Sequence, residues 1–171
     1  MAYINKNDFE IVGYVADEKR KENYFECDDL IAPSISLLNK KGYKTIFCCS
    51  GHPYATIDVV FSPEIPSKED LGDIELLWVE DSDEYSDQCL DIDEFKYALI
   101  CKCHYGEVFY IIFEDDYDFP ELPGDAYFDK ENKGIYWNHD VKATDDFSVM
   151  CKIFIINKEF YEWVEKLPSL I

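Results

Sequence analysis

The chain has 171 residues, enough for one domain (1–171) with an ample core. Its 37 Asp and Glu against 16 Lys and Arg give a formal charge of −21, and Arg20 is the only arginine. A protein that grips phosphates needs arginine forks and a basic face, so direct nucleic-acid binding is disfavoured and attraction to a basic partner is favoured.

The first expected strand is Phe9–Val15 (FEIVGYV), followed by a charged loop or helical turn over Ala16–Glu26. A helix is expected to begin near Leu30. Asp28 and Asp29 suit the positive end of its dipole, and Pro33 belongs in a first turn that needs no N–H. Ile31, Ile35 and Leu38 fall at i, i+4 and i+7 as one apolar stripe, and Gly42 is the expected stop. In the strand that follows, Tyr43, Thr45, Phe47 and Cys49 share one face, and Lys44, Ile46 and Cys48 the other. Both faces are largely apolar, which predicts a central strand. A polar turn, Cys48-Cys49-Ser50-Gly51-His52, leads to a buried strand over Thr56–Phe61.

Ser62–Glu94 has a different composition. It holds thirteen carboxylates against one lysine, Lys68, and reads as a solvated acidic insertion. Within it, Ile74–Val79 is a strand or an apolar anchor. Phe95–Cys103 and Glu107–Phe113 are expected as a hairpin turning at His104-Tyr105-Gly106, and the apolar VFYIIF run is expected inside a sheet. EDDYDFPELPGDAYFD reads as a loop broken by prolines, and Gly134–Trp137 as a short strand. Val149–Ile156 is expected as a strand, with Asn157 as N-cap of a closing helix. That helix carries Phe160, Trp163, Val164 and Leu167 as a stripe and stops at Pro168. The order of elements predicts an α+β fold: a mixed or mostly antiparallel sheet, two helices packed on it, and the acidic insertion at 62–94.

No window of 18 or more apolar residues occurs, so no membrane span is expected. MAYINKNDFE lacks the basic and apolar regions of a signal peptide, which predicts the cytoplasm of the host cell. Seven cysteines there are expected as reduced thiols.

Four groups of residues carry possible chemistry. The turn Cys49-Ser50-Gly51-His52 can present backbone N–H groups to a small ligand; as a nucleophile–base pair, Cys49 and His52 stand too close in sequence to align well. Cys49 and His52 with Cys101, Cys103 and His104 have the ligand types of structural zinc, but no clean C-x-x-C pair. Asp81-x-Asp83-Glu84 and Glu114-Asp115-Asp116-x-Asp118 lack the spacing and glycine of an EF-hand, and read as solvated faces. Finally, a rigid array of carboxylates imitates the charge of duplex DNA and competes for a groove built for nucleic acid. Asp73, Glu75, Glu80, Asp81, Asp83, Glu84 and Asp87 are the expected contacts of that kind, and Trp78 either packs on the core or serves as their exposed anchor. No cofactor is expected, and no catalytic residue stands out.

DDLIAPSISLLNKKGYKTIFCCSGH, with the later FYIIFEDDYDFPELPGDAYFD and IYW, resembles a family of small proteins of phages and mobile elements of low-GC Gram-positive bacteria, one without a settled activity. The resemblance covers about half the chain and leaves out Ser62–Glu94. It implies a counter-defence (anti-CRISPR-like) inhibitor that docks on a nuclease or another basic defence protein of the host. The helix and the strand ending in Cys49-Ser50-Gly51 are also similar to the third wybutosine-synthesis tRNA methyltransferase family, where an arginine stands at the place of His52. Two further readings stay open beside the inhibitor. One is a small-ligand binder that sequesters a nucleotide immune signal through the CCSGH turn. The other is a metal-dependent or nucleotide-modifying enzyme built on the Cys/His set.

Overall fold

The computed structural model describes residues 2–12, 21–28, 30–49, 53–55, 97–99, 109–137 and 146–171. These form an α+β fold in which every strand pairing is antiparallel. Strands β1 (Ala2–Asn5), β2 (Ile11–Val12) and β3 (Tyr24–Cys27) make a three-stranded sheet in the order β2-β1-β3. Strands β4 (Thr45–Cys49), β7 (Phe109–Phe113), β8 (Ala126–Asp129) and β9 (Gly134–Trp137) make a second sheet in the order β4-β7-β9-β8. Between them in sequence, β5 (Pro53–Ala55) pairs with β6 (Tyr97–Leu99) as a separate ladder. Helices α1 (Ala32–Lys40) and α2 (Asp146–Lys166) pack on each other. Their apolar stripes share one buried core with Ile4 of β1, Phe109, Ile111 and Phe113 of β7, and Ile135 and Trp137 of β9.

Helix α1 follows its sequence closely. Ile31, Ile35 and Leu38 are buried, and Pro33 lies in the first turn. The start differs in detail: no side chain caps it, and the Asp28 backbone carbonyl accepts from Ala32 N–H at 3.1 Å. The end is a Schellman motif. Tyr43 N–H reaches back to Leu38 O at 2.9 Å, and Gly42 N–H to Asn39 O at 3.0 Å. Gly42 sits at φ 95°, and a Cβ there would stand 3.1 Å from Ile171 Cγ2 and 3.2 Å from the Leu170 Cβ. The position thus needs glycine for its backbone and for the C-terminal tail laid against it.

The strand after α1 departs from expectation in two ways. It is the end strand of its sheet, with no pairing on its outer side among the described residues. It also carries a β-bulge. Thr45 pairs with Phe113, yet Phe47 pairs with Ile112, so Ile46 is the extra residue. The bulge reverses the alternation. Phe47 and Cys49 share the face opposite to Thr45, and Cys48 joins Thr45 toward the core, opposite Ile111. Ile46 and Phe47 are left 52% and 66% exposed. Apolar residues on both faces of this strand mark an exposed edge, where a central strand was expected.

Four other expectations are corrected. The end of the run expected as a loop broken by prolines is strand β8, Ala126–Asp129, which pairs with β9. Part of the loop expected over Ala16–Glu26 is strand β3, which pairs with a first strand, Ala2–Asn5, that precedes the expected one. The hairpin of Phe95–Cys103 with Glu107–Phe113 does not form over the described residues, because β4 and β9 occupy both edges of β7 and β6 pairs with β5. Val149–Ile156 belongs to α2, so Asn157 is a buried mid-helix residue and caps nothing. That run is apolar except for Lys152 and too short to show its own period, so it fits a strand and a helix segment equally. The helical spacing of Ile156, Phe160, Trp163, Val164 and Leu167, all buried, carries the helix back through it. The interior position of β7 and the strand at Gly134–Trp137 are as expected. The expected strands at Thr56–Phe61 and Ile74–Val79 lie outside the described residues, as does the whole of 62–94. Among the described residues, no helix is long and apolar enough to cross a membrane.

Candidate functional site

Most of the residues singled out in sequence fall outside the described part of the chain. Ser50, Gly51 and His52 do, as do Cys101, Cys103 and His104. So do Asp73, Glu75, Trp78, Glu80, Asp81, Asp83, Glu84 and Asp87. Cys49 is described: it is buried at the end of β4, opposite Tyr110 in register. Burial, followed by the neighbouring thiols of Cys49 and Cys48, pushes the Tyr110 hydroxyl above its ordinary value. Ser50, Gly51 and His52 connect β4 to β5 in sequence. Pro53 of β5 is paired with Leu99 of β6, so the strand that follows His52 and the strand that precedes Cys101 lie side by side. Among the described residues, no three His, Cys, Asp or Glu side chains are placed to hold a metal ion.

The surface feature that stands out within the described residues is the segment between β7 and β8. Glu114, Asp115, Asp116, Asp118, Glu121 and Asp125 are all exposed, and no basic residue interrupts them. The aromatics between them are turned inward. Tyr117 lies edge-on to Tyr43 at 5.2 Å, and its hydroxyl accepts from Lys44 N–H at 3.1 Å and donates to Gly42 O at 3.3 Å. Phe119 stacks on Tyr43 at 5.5 Å and meets Phe113 at 5.0 Å and Trp163 at 5.7 Å. Trp163 Nε1 donates to the Glu121 carbonyl at 2.8 Å. Gly124, at φ 54°, brings its backbone against Trp137, where a Cβ would stand 2.5 Å from the ring. The segment has no regular structure, yet β7, α1's C-terminus and α2 hold it from three sides. Its carboxylates are therefore presented from a fixed backbone.

Sequence reasoning took Glu114–Asp118 as a solvated face, and the exposure agrees. It missed the anchoring. The signal was the acid–aromatic alternation Asp116-Tyr117-Asp118-Phe119, which offers apolar rings for packing between exposed carboxylates.

Two small clefts open on the described surface. One lies between the outer strands of the two sheets and is lined by Phe25, Cys27 and Asp28 on one side, Phe47 and Cys48 on the other, with Ile35 of α1 below. The second lies beside α1 at Glu10, Leu37, Lys40 and Tyr161. Each holds about 180 Å³. Small-molecule sites usually run to about 300–1,000 Å³. Neither cleft is large enough on its own for a nucleotide.

No family model matches this chain, and comparison with curated proteins and with solved structures gives no match.

Proposed function

We propose that this chain is a non-enzymatic acidic binding protein, an inhibitor of phage counter-defence type, that docks on a basic, nucleic-acid-binding defence protein of its host. The carrying observation is the anchored acidic segment 114–125, six exposed carboxylates on a backbone held by Tyr117, Phe119 and Trp163. Mimicry of a phosphate backbone depends on charges held in place, because ordering a mobile acidic loop on binding costs about 1–2 kcal/mol per residue. A formal charge of −21 adds long-range attraction toward a basic groove. Asp73, Glu75, Glu80, Asp81, Asp83, Glu84 and Asp87, with Trp78, belong to the proposed contact on the sequence alone and lie outside the described residues.

The test is binding to a nuclease with a basic nucleic-acid channel, measured at rising salt with and without competing duplex DNA. Competition with the DNA is expected, as is a loss of affinity of about tenfold or more between low and physiological ionic strength. The triple variant Asp115→Asn, Asp116→Asn, Asp118→Asn should lose a further tenfold or so, mostly through slower association. Binding indifferent to salt, or simultaneous with DNA, overturns the reading.

A further inference from the structure

In the cleft between the two sheets, Cys27 Sγ and Cys48 Sγ are 3.5 Å apart. They come from different sheets. Cys27 ends β3 and pairs with Ala2 of β1, whereas Cys48 of β4 pairs with Ile111 of β7. Each thiol is thus fixed by a paired strand, and both line the same opening. Cys27 is buried and Cys48 half-buried. Neither forms a disulfide. A disulfide bond is about 2 Å long, so closure asks for about 1.5 Å of movement, within reach of side-chain rotation and a slight shift of an end strand.

We infer that Cys27 and Cys48 form a redox-modifiable dithiol, which a low-molecular-weight disulfide oxidises to a clasp between the outer strands of the two sheets. The steps balance as ordinary thiol–disulfide exchange. Cys48, the more accessible thiol, loses its proton and attacks one sulfur of the small disulfide. The S–S bond breaks, a mixed disulfide forms on Cys48, and one small thiol leaves with that proton. Cys27 then loses its proton and attacks Cys48 Sγ, expelling the second small thiol, which takes up the proton. Two protein thiols are oxidised, and one small disulfide is reduced to two thiols. The product joins β3 to β4 across the cleft and fixes the strand that carries exposed Ile46 and Phe47. Cys49, adjacent in sequence, has its side chain on the opposite face of β4 and takes no part. This inference does not depend on the proposed partner.

The experiment incubates the reduced full-length chain with glutathione disulfide, blocks remaining thiols, digests with trypsin and reads linked peptides by mass spectrometry. Cleavage at Lys21, Lys40, Lys44 and Lys68 separates the Cys27 peptide from the Cys48–Cys49 peptide. The expected result is one intramolecular link between those peptides, reversed by a reducing agent, kept in Cys49→Ser and absent in Cys48→Ser. The oxidised wild type should melt about 5–10 °C higher than the reduced one, since the cross-link closes a loop of 21 residues. The melting shift should vanish in Cys27→Ala, whose reduced form also reports whether that variant folds. Both thiols fully alkylated after oxidation, a link that survives in Cys48→Ser, or a link found only between two copies of the chain overturns the inference.

Discussion

Lys41 does more for this fold than a lysine at a helix end usually does. Its ammonium donates to the carbonyls of Val164, Glu165 and Leu167 at 2.9, 2.8 and 2.6 Å. Those carbonyls cluster at the C-terminal end of α2, where Val164 O also accepts from Leu167 N–H at 3.1 Å and the helix dipole favours a cation. Its own carbonyl accepts from Leu170 N–H at 2.7 Å. One residue at the end of α1 therefore terminates α2 as well. Its neighbours repeat the theme, since the Tyr43 hydroxyl donates to Pro168 O at 3.1 Å and Gly42 leaves room for Ile171. Lys41→Met keeps the apolar stem and removes the three donors. It should cost about 1–3 kcal/mol in chemical denaturation, with an unchanged denaturant slope. Lys40→Met is the contrast, because Lys40 makes an exposed ion pair with Glu10, and it should cost about 0.5 kcal/mol or less. Equal losses at the two positions would mean that Lys41 contributes only surface charge.

At the scale of elements, β4 decides the most. Past its bulge at Ile46, Cys48 faces Cys27 and Phe47 turns outward, the register that forms the cleft wall. Deleting Ile46 should restore an ordinary ladder with every other side chain on its present face, at a cost of about 1 kcal/mol or less. Inserting one residue between Phe47 and Cys48 throws Cys48 off the core face and Cys49 onto it, and should cost several times more. A comparison of the two melting curves checks this, and equal losses would mean that the bulge itself stabilises the sheet.

The same strand shows what was legible in the sequence. Helix α1, its glycine stop, the interior strand β7, Gly134–Trp137 and the stripe of α2 all follow from local rules: a period, a cap, a breaker. The bulge, the end position of β4 and the pairing of β1 with β3 are set by partners far away in the chain, and no local pattern encodes them. Val149–Ile156 was misread because a short apolar run carries no period of its own. The site was legible only in part. The aromatics between Glu114 and Asp125 could be counted in sequence, but not their convergence on Tyr43 and Trp163.

At the scale of the molecule, charge should act on stability and on the proposed binding with opposite signs. Sixteen basic residues cannot neutralise 37 acidic ones, and the described ion pairs, Lys40–Glu10 and Lys44–Glu114, are exposed. Packing, chiefly the aromatic cluster of Tyr43, Phe113, Phe119, Phe160 and Trp163, must therefore hold the chain against its own repulsion. Salt shortens the reach of that repulsion from about 30 Å at 0.01 M to about 8 Å at physiological ionic strength. The free protein should accordingly melt several degrees higher at physiological salt than at low salt, because compaction brings like charges together and screening relieves them. The same salt should weaken the complex with a basic partner. Scanning calorimetry of the free chain beside a binding titration, over one salt series, separates the two. Stability that rises while affinity falls is the signature of an acidic surface kept for a partner at the expense of the fold. Stability that falls with salt would mean that local ion pairs outweigh the net repulsion, and that the surface charge is balanced by structure within the chain.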